Sequence, residues 1–262
     1  MNAILEQIIQ HKKREVAAKK ELFPIAFLKT FPLFNRKTNS LSQRLKAQGC
    51  GIIAEHKRRS PSQPVIHFDT PLQDIIKHYE KHEVAGISVL TDSHFFGGSL
   101  EDLNQSRMVT KLPLLRKDFV IEPYQLIEAK AHGADVVLLI AAVLDASQLK
   151  TLTEQAHVLD LEVLIEIHHE AELEKAVVAQ PELMGVNNRN LNTFVTDLEV
   201  SERLAGSIPE GIVKISESGI KSLEDMERLR QAGFQGFLIG ETFMRDFQNN
   251  KNLQRYTEFL KQ

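Results

Sequence analysis

From about residue 48 onward, short apolar and β-branched runs alternate with segments whose apolar positions recur every three to four residues. Eight runs read as strands: Gly51–Lys57, Gly86–Asp92, Leu112–Phe119, Ala134–Ala142, Glu162–His168, Met184–Arg189, Ile212–Ser218 and Gly236–Gly240. Between them, sets such as Leu126, Ile127 and Ala131, or Leu223, Met226 and Leu229, have helical spacing. Val136–Ala142 is apolar throughout, as a parallel strand covered on both faces requires. Eightfold strand–helix alternation predicts an α/β chain closed into a (β/α)8 TIM barrel. An open doubly wound sheet is the alternative, and the glycine-rich dinucleotide turn of its commonest version is missing after the first strand.

Punctuation supports this division. Pro123 suits a first helical position, Gly133 the residue past a helix end, and Ser222 with Asp225 a capping box. The joints Val84-Ala85-Gly86, Ala131-His132-Gly133-Ala134 and Gln231-Ala232-Gly233 look alike, a weak repeat of one helix–strand unit. Residues 1–48 stand apart. Ile4 to Lys20 and Ser40 to Gln48 read as two helices joined by Pro24, Pro32 and a polar stretch. They are expected to form an N-terminal helical extension packed on the 49–262 barrel, in a single domain overall.

Composition narrows the partners. With 32 basic and 35 acidic residues, the formal charge of −3 argues against nucleic acid, which needs a concentrated basic surface. The single cysteine, Cys50, excludes an internal disulfide and a cysteine-built metal site. No stretch approaches the about 18 apolar residues of a membrane span, and Met1 to Lys20 is too charged for a signal peptide. The expectation is a cytoplasmic, monomeric protein with no membrane partner.

The candidate chemistry lies where apolar strands end in charge. Lys and Glu are rarely fully buried unless paired. Side chains alternate between barrel interior and helix layer, so Ile53, Glu55 and Lys57 share one face. Leu115 with Lys117, Leu164 with Glu166, and Gly185 with Asn187 and Arg189 follow the same parity. The charged members lie at C-terminal strand ends, where barrels of this type carry active sites. Lys57, Lys117, Glu166 and Asn187 should converge; the alternative is an ion-pair network that merely fills the barrel top. Ser216-Glu217-Ser218-Gly219-Ile220 and Leu238-Ile239-Gly240-Glu241 end the last two strands, a common place for phosphate on backbone N–H groups. Ser60 can add a hydroxyl.

Other features read more simply. His168-His169 point apart on a strand and have no third metal ligand in view. His56 faces the helix layer as a packed histidine. Phe95-Phe96-Gly97-Gly98 reads as a flexible loop with aromatic contacts or as core packing. Lys57-Arg58-Arg59 reads as a solvated loop around one useful lysine, and Lys12-Lys13-Arg14 with Lys19-Lys20 as a wet helix face.

Several motifs, in order along the chain, resemble the indole-3-glycerol-phosphate synthase family. They are Ile52-Ile53-Ala54-Glu55-His56-Lys57-Arg58-Arg59-Ser60-Pro61-Ser62, Ser88-Val89-Leu90-Thr91-Asp92 with Phe96-Gly97-Gly98-Ser99, and Leu115-Arg116-Lys117-Asp118-Phe119. Asn187-Asn188-Arg189-Asn190-Leu191 and Ser216-Glu217-Ser218-Gly219-Ile220 complete the set. The resemblance implies a lyase of tryptophan biosynthesis that closes an indole ring. It converts 1-(2-carboxyphenylamino)-1-deoxyribulose 5-phosphate to indole-3-glycerol phosphate, carbon dioxide and water, without cofactor or metal. It makes Lys117 the general acid at the ketone, Glu166 the acid–base group of later steps, and Lys57 the cation holding the substrate carboxylate. Glu55 and Asn187 would orient these groups. Ser60, Gly219 and Gly240 would contact phosphate, with Glu217, Ser218 and Arg189 lining the site and Phe119 walling the aromatic pocket.

Two departures stand out: His56 where the family usually has an apolar residue, and Gln63-Pro64 in place of a common Lys-Gly pair. Proline restricts the first loop. The rival readings are a phosphoribosylanthranilate isomerase, whose usual cysteine and aspartate motifs are not apparent, and a silent barrel that only binds phosphate. The 262 residues leave no room for a second, fused barrel.

Overall fold

The computed structural model describes residues 3–190, 193–245, 247 and 251–261; Leu191, the last residue of one motif, lies outside them. Three helices come first: α1 (Ala3–Leu22), α2 (Ile25–Leu28) and α3 (Leu41–Gln48). Strand and helix then alternate as β1 (Gly51–His56), α4 (Leu72–Lys81), β2 (Gly86–Leu90), α5 (Leu100–Val109), β3 (Leu114–Lys117), α6 (Tyr124–Ala131) and β4 (Val136–Ile140). Next come α7 (Ala146–Val158), β5 (Glu162–Ile167), α8 (Leu173–Val178), β6 (Leu183–Asn187), α9 (Glu199–Ala205) and β7 (Val213–Glu217). The chain ends with α10 (Leu223–Gln231), β8 (Gly236–Ile239), α11 (Glu241–Arg245) and α12 (Lys251–Phe259). All strand pairs are parallel, and β8 pairs with β1 to close an eight-stranded barrel.

Two cores follow from the strand period. Ile53, Leu115, Val136, Leu138, Leu164, Leu183, Val213, Ile215 and Leu238 fill the barrel interior. The opposite faces, with residues such as Ile52, Val137, Ile165 and Phe237, pack under the helices. Leu41 and Leu45 of α3 join the inner cluster and plug the barrel floor. They fit because the strands above begin with glycine: a Cβ at Gly86 would lie 2.7 Å from Leu41 Cδ1, and one at Gly51 would lie 3.0 Å from Leu45 Cδ2. Glu162 holds the plug by accepting from the backbone N–H groups of Leu41 and Ser42 at 2.8 and 3.0 Å. These donors have no partner within the helix.

The strands are shorter than the sequence reading at most ends. β3 is Leu114–Lys117 rather than Leu112–Phe119, because Pro113 has no N–H to donate and the Asp118 carboxylate accepts from Phe119 N as the chain turns away. Pro123 is the N-cap of α6, one residue before the expected position. The Ser222–Asp225 capping box is present. So is an unforeseen one at Asp145 and Gln148. The apparent repeat at the joints is a single left-handed residue after each helix, with Gly133 and Gly233 at φ +89° and +94°. At the first joint that residue is Glu83, not Gly86; Asp160 and Gln180 fill the same role elsewhere.

The wet-face reading of α1 holds for Lys13, Arg14 and Lys20, which are exposed, but not for Lys12 and Lys19. Lys12 is 1% exposed, between Asp92, Asp118 and Glu15, and Lys19 pairs with Glu15 and Glu128. A helix face that carries lysine is dry where it meets carboxylates from strand ends.

Candidate active site

Every catalytic and substrate-contacting residue expected from the sequence lines one cavity of about 640 Å³ at the C-terminal mouth of the barrel. Strand register brings them there. Glu55 lies beside Ser88, Glu166 beside Gly185, and Asn187 beside Glu217. The five charged groups Glu55, Lys57, Lys117, Glu166 and Glu217 form the layer directly above the apolar interior.

Lys117 is the centre of that layer. Its Nζ lies 2.5 Å from Glu217 Oε2 and 3.2 Å from Glu166 Oε2. Burial pulls its pKa down, but Glu217, Glu166 and Glu55 outweigh that and hold it above the ordinary lysine value. Glu166 remains below the usual carboxylate range: burial opposes this, but Lys117, His168 and a hydrogen bond from Asn187 prevail. Glu55 is likewise lowered against its burial, by Lys57 at 2.8 Å and by Lys117. Three carboxylates share two ammonium groups, and one of the three is pushed up rather than down. That one is Glu217, pushed up to about 7 by burial, with Glu166 and Glu55 adding to the push against the pull of Lys117.

The layer does not plug the barrel, because open volume lies above it. Phe96 and Phe119 wall one side, their ring centroids 5.9 Å apart, with Leu90, Leu138 and Ile140 beneath. On the other side, Ser218 and Gly219 both have positive φ, +68° and +81°. A non-glycine residue there stores strain. Asn188 holds the turn: its Nδ2 donates to Glu217 O and Ser218 O at 3.0 and 3.1 Å, while its Oδ1 accepts from Ser201. Gly240 lets Glu55 pass close by, since a Cβ there would lie 2.7 Å from Glu55 Oε1. Ser218, Gly219, Gly240, Arg189 and Ser60 thus surround the end of the cavity away from the aromatic rings.

Some readings of the sequence change. Lys57-Arg58-Arg59 is not a solvated run. Arg58 makes a two-pronged pair with Asp102 at 2.6 and 2.7 Å, and Arg59 donates to the carbonyls of Ser93 and His94. Their partners follow β2, too distant in sequence for the run to reveal. Gln63 accepts from Arg245 at 2.9 Å, which ties the loop after β1 to α11. His56 is buried in the helix layer, and burial, with Arg58 nearby, lowers its pKa to about 4; the uncharged ring fills an apolar position. His168 lies 3.4 Å from Glu166 Oε1. Among the described residues, no group of three or more His, Cys, Asp or Glu is arranged to hold a metal. The sequence reading missed Ile4, Leu5 and Ile8 of α1, which roof the cavity, and Lys221 and Arg245 at its rim. The signal for the roof was there, in the stripe Leu5, Ile8, Lys12 and Val16 at helical spacing.

Comparison with known proteins follows the same lines. A family model described as indole-3-glycerol phosphate synthase matches residues 5–256. The chain is 45% identical over 260 residues to the indole-3-glycerol phosphate synthase of Bacteroides thetaiotaomicron, covering 99% of this chain and 100% of that one. It is 42% identical over 255 residues to the enzyme of the same name from Campylobacter jejuni, covering 96% and 98%. Among solved structures, the N-acetylmannosamine-6-phosphate 2-epimerase from Clostridium perfringens superposes with a TM-score of 0.60 at 16% identity, covering 84% of this chain and 96% of that one. A thiamine phosphate pyrophosphorylase from Pyrococcus furiosus gives 0.60 at 14%, with the same coverage. These two likenesses show the barrel alone.

Proposed function

We infer the chemistry from this premise: the chain belongs to the indole-3-glycerol phosphate synthase family, and it is a lyase of tryptophan biosynthesis. Its reaction closes the pyrrole ring of 1-(2-carboxyphenylamino)-1-deoxyribulose 5-phosphate, with loss of carbon dioxide and water.

The observation that carries the assignment of roles is the Lys117 ammonium, fixed between Glu217 and Glu166 and facing a cavity with an aromatic wall at one end and a glycine turn at the other. Ring closure turns the substrate ketone into an alkoxide. Lys117, kept protonated by its carboxylates, is still a stronger acid than the alcohol formed, so it delivers the proton as the aromatic carbon attacks. A placed acid of this kind contributes about 10²–10⁴-fold. Decarboxylation then restores aromaticity, and no electron sink is required of the protein. Glu166, held ionised, takes the ring proton and helps expel the hydroxyl.

Lys57 faces the substrate carboxylate and assists the leaving hydroxyl, while Glu55, 2.8 Å from its Nζ, fixes its position. Asn187 steadies Glu166. Phe119 flanks the aromatic ring. Ser60, Ser218, Gly219 and Gly240 receive the phosphate, with Arg189 at the rim and Glu217 as the partner that sets Lys117. We propose a cytoplasmic monomer, a reading supported by one chain lining the whole cavity; no helix among the described residues is long and apolar enough to cross a membrane.

The test mixes purified protein with the substrate and follows indole fluorescence, beside Lys117→Ala. Turnover by the wild type with a loss of at least about 10²-fold in the variant is expected. Equal rates would remove Lys117 from the acid step.

A further inference from the structure

Six side chains of alternating charge close into a ring beside the mouth. Glu15, Lys12, Asp118, Arg116, Glu128 and Lys19 follow one another, and Lys19 returns to Glu15, with every link between 2.7 and 3.3 Å. Lys12 also reaches Asp92 at 3.0 Å. Three of the six come from α1, two from β3 and its end, and one from α6. Buried charges are costly unless fully partnered, and Lys12 and Arg116 are each 1% exposed.

The ring lies between two parts of the site. Asp118 separates Lys117 from Phe119, and its carboxylate is held by Lys12, Arg116, Thr91 and the Phe119 N–H. Leu5 and Ile8 precede Lys12 on the same helix stripe and roof the cavity above the aromatic wall. Among the described residues, no ion pair or side-chain hydrogen bond joins this ring to Ser60, Arg189, Ser218, Gly219 or Gly240. Burial pulls the Lys12 amine down, yet Asp118, Asp92 and Glu15 prevail and keep it charged.

We propose that Lys12 is a positioning residue: its buried ammonium pins α1 to the ends of β2 and β3 and thereby sets the roof and wall that grip the aromatic half of the substrate. The inference rests on the reading of the cavity given above. A lysine that served stability alone would leave ligand discrimination unchanged well below the melting temperature.

The experiment compares wild type and Lys12→Met for inhibition by two probes. One is indole-3-glycerol phosphate, which spans both ends; the other is glycerol 3-phosphate, which fills only the phosphate end. Turnover is measured in parallel. The variant should bind the indole probe about ten-fold more weakly, as partial loss of two aliphatic contacts predicts, with glycerol 3-phosphate binding unchanged. KM should rise more than kcat falls. Lys12→Arg keeps the charge but broadens the head group, and is the second variant should Lys12→Met not fold; a smaller loss confined to the indole probe is expected. Equal inhibition constants in wild type and variant, or equal losses for both probes, would overturn the pin while wild-type turnover upholds the reaction. A wild type that never turns over would overturn the reaction and the pin together.

Discussion

Replacing Gly185 by alanine tests whether Glu217 sets Lys117. Gly185 lies on β6 beside Glu166, with its missing side chain toward Glu217. A Cβ there would overlap Glu217 Oε1 and lie 3.2 Å from its Cδ and 3.3 Å from Leu164 Cδ1. Leu164 is fully buried and cannot give, so the carboxylate must withdraw by about 1 Å, which stretches and weakens its 2.5 Å contact with Lys117. Lys117 would then swing toward Glu166. Overpacking of this size costs about 1–3 kcal/mol, or about 2–4 °C in Tm per kcal/mol for a chain of this length. A displacement of about 1 Å in a catalytic group costs about 10²-fold in rate. The assay is kcat and KM by indole fluorescence, with thermal unfolding beside it. The expected result is a fall in kcat near that size, with KM little changed because the phosphate turn is untouched. The same substitution in a Glu217→Ala background should add almost nothing, since coupled residues are not additive. A wild-type kcat in Gly185→Ala, or an undiminished loss in that background, would refute the reasoning.

The other predictions concern protonation and the barrel floor. Glu217, pushed up to about 7, binds its proton more tightly folded than unfolded. Its contribution to stability is therefore complete below the ordinary carboxylate value of 4.5 and is lost as pH rises through about 7. Tm measured from about pH 5 to pH 8 should decline less in Glu217→Gln than in wild type, and the variant's kcat/KM profile should lose its limb near pH 7; superimposable profiles would count against this. Asp135, fully buried, accepts from Arg36, Arg107, Asn39 N and Leu114 N at the floor. Asp135→Ala leaves buried Arg107 uncompensated and should cost about 3–5 kcal/mol by denaturant titration with kcat intact at low temperature. A loss below about 1 kcal/mol would show that the hub is dispensable.

How much of this was legible depends on whether one strand or helix carried the whole signal. Lys117 and Glu166 stood out because a charge ending an apolar strand is anomalous, and strict alternation fixed which way each pointed. The barrel followed from eight repeats of the same pattern. Lys12 was misread because its neighbours Lys13 and Arg14 share its charge, although its place in the stripe with Leu5, Ile8 and Val16 marked it as buried. Arg58 needed Asp102, 44 residues on, to be understood. Gly185 was placed on the inward face and Asn188 within a motif, but they act through Glu217 and the strained Ser218 turn, so nothing local announced their roles. Parity reads direction; it does not read partners across a closed sheet.

The floor plug has a consequence for the order in which the molecule assembles. Leu45 of α3 precedes all eight strands in synthesis, yet it packs against positions at the start of β1 and of β8, and Lys46 donates to Gly211 across 165 residues. Ser42 meets Glu162 over 120. Contacts this remote form late, because the intervening chain must first be gathered. A segment made before any strand is thus among the last to settle, and until β8 closes the ring Leu45 lacks part of its cover.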